Sequence, residues 1–212
     1  MRLCILQPMN TEIIITGVSI SLSLIVAIGP QNTFVFSNAV RGRYVGTVTL
    51  ISIVCDSALA SLGVLGVGPA LARIPFLSGA LVCIGLVWLM YCAGRSLSLA
   101  FKRSALQEAN QRFQSTKELL LSAIAFSLLN PHAYLDSVFL IGSFSAGIAG
   151  PLRLPFYIGI LGGISLWFIL LSLTGRLCAS LLKSESAWRI LHVVVALSLL
   201  WSIAFLIKFG IG

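Results

Sequence analysis

The chain has 212 residues, 58% of them hydrophobic and 9% charged, with a formal net charge of +8. A soluble domain carries about a quarter charged residues, so composition excludes one; no polar domain is left to present a basic patch to nucleic acid. Apolar runs of about 18–25 residues, each long enough to cross a bilayer, fill nearly the whole length, and the ten-residue alternation of a membrane β-barrel does not appear. The expectation is a single polytopic all-α domain over residues 1–212, embedded in lipid.

Charges mark the predicted elements. Residues 13–40 lie uncharged between Glu12 and Arg41, and a first helix is expected at about 13–36. It is too long for a signal-peptide core and no cleavage site follows, so it is read as a retained helix. The segment MRLCILQP ahead of Met9 leaves Met9 as an alternative translation start. The second run lies between Arg43 and Arg73 and contains Asp56; the third lies between Arg73 and Arg95. A polar linker, 102–118, precedes a fourth run at 119–152 that holds Asp136. The fifth lies between Arg153 and Arg176, and the sixth between Arg189 and Lys208. Six spans are expected, with five as the alternative because the sixth run is the shortest. Arg41, Arg43, Arg95, Lys102, Arg103, Arg112, Lys117, Arg176, Lys183 and Arg189 fall in odd-numbered loops, against Arg2, Arg73, Arg153 and Lys208 on the other side. The positive-inside rule therefore puts the odd loops in the cytoplasm and both termini outside.

Three helices, a polar linker and three more helices suggest a 3+3 repeat, with halves at about 13–101 and 119–208. An odd number of spans per copy inverts the second copy, a design common in transporters. The first helix of each half is interrupted, by IGPQN at 28–32 and by LLNPH at 128–132. Proline lacks an amide hydrogen and frees a carbonyl, so each break needs new polar partners within the membrane. Two breaks in corresponding places point to a transport site where one would be read as a kink.

The residues around the breaks carry the chemistry. Asp56 falls near the middle of the second span, where a carboxylate costs about 2.5–3.5 kcal/mol on insertion scales. It is a candidate proton carrier, with capping of the broken first helix as its structural role. Asp136 lies about 9 Å beyond Asn130 along a regular helix. It is a candidate receptor for a cation or a proton. His132 and Asp136, spaced i, i+4, share a face, so His132 either holds the aspartate or carries a proton itself. Tyr134 is a candidate contact or a packing aromatic. Gln31 and Asn32 offer donors and acceptors to a zwitterion or to the backbone freed at Gly29 and Pro30.

Weaker signals are structural. Gly159-x-x-x-Gly163 permits close helix approach and is assigned to a subunit interface, so a homodimer is expected. Gly63, Gly66 and Gly68 suggest tight packing of the second span, and His192 is assigned to the membrane interface. The five cysteines form no CxxC pair and have no ligand-spaced partners, so neither a metal nor another cofactor is expected. No phosphate-binding GxxxxGK[ST] loop occurs, which argues against an ATPase.

IGPQNTFV followed by VRGR resembles the first helix of the LysE superfamily of amino acid exporters. CDSALASLGVLG resembles that superfamily's second helix with its embedded aspartate. LLNPHAYLDSVFLIGS is similar to the fourth-helix signature of the basic branch, which exports lysine and arginine. The similarity covers nearly the whole chain with matching spacing. It implies a multi-pass transporter of the bacterial cytoplasmic (inner) membrane, with no enzyme activity, which exports L-arginine or L-lysine in antiport with protons. It also implies that Gly29, Pro30, Gln31, Asn32, Asn130, Pro131 and Asp136 contribute to the substrate site, and that Asp56 belongs to the transport machinery. Two positions depart from the pattern: Ser127-Leu128 stand where the basic branch often has Thr-Trp, and Ala27 where a second proline is usual.

Three rival readings differ by residues. Exporters of neutral amino acids or homoserine typically have an apolar residue where this chain has Asp136. An intramembrane aspartyl protease would use Asp56 and Asp136 as a pair, but its GxGD motif is absent, since Val54-Cys55 precede Asp56. A membrane thiol-electron carrier would need cysteines at the breaks, and none is there.

Overall fold

Proline 30 opens one helix and Gly42 closes it, and those two residues set the shape of the first third of the chain. The computed structural model describes residues 3–26, 29–66, 75–101, 116–130, 133–183 and 185–210. Among these the only regular structure is helical. In chain order the elements are α1 (Leu3–Ile25), α2 (Pro30–Arg41), α3 (Val45–Val64), α4 (Pro75–Phe101) and α5 (Thr116–Leu128). A π-helical stretch, Tyr134–Leu140, then runs directly into α6 (Ile141–Ala146). It is followed by α7 (Arg153–Leu177) and α8 (Glu185–Gly210), with 3-10 turns at Gly150–Leu152 and Cys178–Lys183 flanking α7.

The first expected helix is two helices. α1 begins at Leu3, earlier than the charge pattern suggested, and α2 leaves it at 88°. Gly29 caps α2 in an extended conformation (φ −108, ψ −179), with Pro30 in the first turn, where a missing N–H costs nothing. At the other end Gly42 is left-handed (φ 70) and its N–H bonds to the Ala39 carbonyl. The Asn38 side chain donates to the Arg43 carbonyl at 2.6 Å, so the RGR turn is held from within α2.

Val45–Val64 and Gly150–Ser180 are each long and apolar enough to cross a membrane, and α1 with α2 makes a third span if counted as one. α4 and α8, of 27 and 26 residues, are each about 40 Å long at 1.5 Å per residue. Large apolar side chains such as Leu50, Leu154, Leu197 and Trp201 remain exposed on the outer surface, as lipid-facing positions require.

α7 is the central post. Phe156, Ile160, Ile164 and Phe168, spaced by four, form a fully buried stripe. They pack with Val35 of α2, Val48 and Ala60 of α3, and Ala123 of α5. α1 lies along α7 through glycines. A Cβ on Gly17 would strike the Phe156 carbonyl, one on Gly159 the Ile14 carbonyl, and one on Gly163 the Ser21 hydroxyl. The Gly159-x-x-x-Gly163 pair, expected at a subunit interface, is therefore an internal seam. Spacing announces close backbone approach but not which helix approaches. The second tight seam joins α3 to the π-stretch and α6: a Cβ on Gly63 would meet the Ser137 carbonyl, and one on Gly142 would lie 2.8 Å from the Gly63 carbonyl oxygen. Gly66 is left-handed (φ 87) just past α3, and Gly68 lies outside the described residues. α4 pairs with α8 through Leu86, Leu89, Cys92, Val195 and Leu199.

Candidate functional site

The two interrupted segments face each other across a small cavity. Gly29, Pro30, Gln31 and Asn32 line it from the α1–α2 break, and Asn130, Ala133, Asp136 and Ser137 line it from the segment after α5. Asp56 of α3, Ser21 of α1, Leu89 of α4 and Ile164 of α7 also line it. The cavity measures about 60 Å³, room for several waters, each of which needs at least about 10–15 Å³.

Gln31 ties the breaks together. Its amide Nε2 donates to Asp56 Oδ1 at 2.8 Å and to Ser127 Oγ at 3.1 Å. Gln31, Asp56 and Ser127 are 5%, 3% and 0% exposed, so this link between α2, α3 and α5 is sheltered from lipid and solvent. Asn32 serves the backbone. Its Nδ2 donates to the Ile25 carbonyl, left open at the end of α1, at 2.8 Å, and its Oδ1 accepts from Trp167 Nε1 at 3.3 Å. The hydroxyl of Thr33 donates to the Gly29 carbonyl at 2.9 Å. The break thus carries its own polar partners, as membrane burial demands.

Asp136 is half-buried and lies within the π-helical stretch, not on a regular α-helix. π-helical turns are rare and frequent at functional sites, because the wider turn displaces side chains from their i, i+4 rows. The shared face expected for His132 and Asp136 rested on α-helical spacing, and Pro131 and His132 lie outside the described residues. Asn130 is buried, and its carbonyl accepts from the Ala133 N–H at 3.1 Å. Tyr134 does not line the cavity; it packs beside Leu59, Ala133 and Val138. Among the described residues no group of His, Cys, Asp and Glu is arranged to hold a metal ion.

Sequence reasoning gave Ser127 no role, yet it is the third member of the Gln31 link. The signal available was a lone hydroxyl three residues before Asn130. Ser21 and Trp167 were missed for the same reason: serine and tryptophan are ordinary in apolar spans. His192, assigned to the interface, is 5% exposed and lies on the wall of a second cavity of about 200 Å³ that shares Pro30 with the first.

A model of the family described as LysE type translocator matches residues 22–209. The chain is 31% identical over 189 residues to the arginine exporter protein ArgO of Pectobacterium atrosepticum, covering 89% of this chain and 92% of that one. It is 30% identical over 198 residues to the ArgO of Klebsiella pneumoniae strain 342, covering 92% and 93%. It is likewise 30% identical over 193 residues to that of Serratia proteamaculans, covering 91% and 94%. No solved structure matches the chain significantly. With two helix breaks and seams of glycine building a polar cavity inside an apolar bundle, and with a family match over most of its length, this chain belongs to the LysE family of translocators: it is a multi-pass transporter of the inner membrane, not an enzyme.

Proposed function

We propose that the protein exports basic amino acids, arginine and also lysine, from the cytoplasm in exchange for protons. The observation that carries this reading is the meeting of two carboxylates, Asp56 and Asp136, on the wall of one cavity between the broken segments. An intramembrane acid is costly unless it is used, and a cavity with two acids and, among its described lining residues, no base selects for positive charge. The names of the relatives, arginine exporters at about 30% identity, agree with that selection.

Asp136 receives the cationic side chain. The backbone groups and amides at Gly29, Gln31, Asn32 and Asn130 take the ammonium and carboxylate as the cavity widens around a whole amino acid. Asp56, fixed by Gln31, carries the proton. The inside-negative potential opposes export of a cation by about 2.3 kcal/mol per charge per 100 mV. One-for-one exchange with a proton cancels that charge movement and leaves the pH gradient as the drive.

Alternating access between two inverted halves, about 13–101 and 119–208 around the linker 102–118, moves the cavity from one side to the other. The packing supports the repeat. α1 and α2 lie on α7, while α5, the π-stretch and α6 lie on α3, and α4 lies on α8. Exchanging first with fourth, second with fifth and third with sixth spans carries this set of pairs onto itself.

The test is export of labelled arginine and lysine from vesicles reconstituted with the protein, with and without an acid-outside gradient. The reading expects both to leave faster with the gradient, and a neutral amino acid not to leave. Export of the neutral amino acid at the same rate would replace it with the neutral-exporter reading.

A further inference from the structure

The second cavity lies on the far side of Pro30 from the two acids, and Pro30 borders both. Its charged wall comes from four helices: Arg41 at the end of α2, Arg95 of α4, Glu118 in the first turn of α5, and His192 of α8. Arg41 and Glu118 mark the bundle end where most of the chain's bases fall, the cytoplasmic end by the positive-inside rule. An exporter meets its substrate at that end. Arg95 is fixed by its neighbour on the same wall, with Nη1 donating to Tyr91 Oη at 2.9 Å. An aromatic stack stands beside Pro30. Phe34 and Phe126 are stacked with ring centroids 4.8 Å apart, and Trp88 meets Phe126 edge-on at 5.7 Å.

The two cavities have opposite character. The inner one has two carboxylates and, among its described lining residues, no base, so it draws a guanidinium ahead of an α-carboxylate. Among its described lining residues the outer one has two guanidinium groups and an imidazole against one carboxylate. Guanidinium forks bind carboxylates in paired hydrogen bonds, which a lysine ammonium does not reproduce.

On the reading of the protein as an exporter of basic amino acids, we infer that the outer cavity is a loading site for the α-amino and α-carboxyl end of the substrate. The carboxylate sits on Arg41 and Arg95, the ammonium faces Glu118, and the side chain points past Pro30 toward Asp136. The basic amino acid therefore enters side chain first, aligned by the change of sign between the cavities. The site explains why a cationic substrate meets arginines on its way in: they read the end of the molecule that every amino acid shares and that polyamines lack.

Inverted membrane vesicles test this with labelled arginine added to the cytoplasmic face and agmatine, arginine without its carboxylate, as competing inhibitor. Arg95→Gln is expected to raise the KM for arginine about tenfold or more, as loss of a charged hydrogen-bonding partner does. The agmatine inhibition constant stays as in the wild type. Arg41→Gln is expected to do the same, and if it fails to reach the membrane, Arg95→Gln, on an exposed side chain, decides alone. An unchanged arginine KM in Arg95→Gln overturns the loading site and leaves the exporter reading standing. Equal weakening of arginine and agmatine also overturns it, because the carboxylate is then not what Arg95 reads. A wild-type protein that moves no arginine overturns the exporter reading and the loading site together.

Discussion

The amide of Gln31 donates to the carboxylate of Asp56 at 2.8 Å, from the first turn of a helix that begins in mid-bundle. The same amide reaches Ser127 just ahead of the second break. One side chain therefore fastens the acid to both interruptions, and movement of either break is felt at Asp56.

Replacing Gln31 by leucine should remove both bonds at nearly constant volume. A buried hydrogen bond to a charged group contributes about 1.5–3 kcal/mol. Arginine export by Gln31→Leu is expected to fall about 10- to 100-fold, with normal amounts of protein in the membrane. Ser127→Ala, which removes only the longer of the two bonds, should cost less than tenfold. Initial export rates normalised to protein measured by immunoblot check both.

Asp56→Asn keeps the shape of the side chain and its bond with Gln31 but cannot carry a proton. Downhill movement of arginine should persist in this variant while the response to an acid-outside gradient disappears. Comparing efflux with and without the gradient in the same vesicle preparation reads this directly. A variant still accelerated by the gradient would remove Asp56 from the coupling step.

The glycine seams predict stability changes of opposite sign. Gly159→Ala places a methyl group against the Ile14 carbonyl, and Gly63→Ala one against the Ser137 carbonyl. Both contacts are with backbone, which cannot swing aside, so each variant should lose about 1–3 kcal/mol. Gly94, within α4, has nothing within 4 Å of its would-be Cβ. Gly94→Ala should therefore hold or gain up to about 1 kcal/mol, the usual helix-interior advantage of alanine. Thermal unfolding of the three variants in detergent gives the order.

Much of this arrangement was legible in the sequence because membrane burial makes exceptions visible. Pro30, Asp56, Asn130 and Asp136 each violate the apolar pattern, and the four come together on one cavity wall. The Gly159 and Gly163 spacing disclosed a close approach but not its partner, because any small residue on any helix satisfies it, and here Gly17 and Ser21 do. The π-helical stretch around Asp136 left no mark, since its sequence YLDSVFL is compatible with an ordinary α-helix. Ser127 and His192 owe their positions to tertiary packing, which no local period encodes.

The central claim is that Asp136 recognises the positive side chain, and Asp136→Asn tests it most directly. Vesicles carrying equal amounts of wild-type or variant protein are loaded with labelled arginine and given the same acid-outside gradient. The account predicts efflux from the variant at the rate of protein-free vesicles, with the protein still inserted. Arginine efflux at the wild-type rate would contradict it.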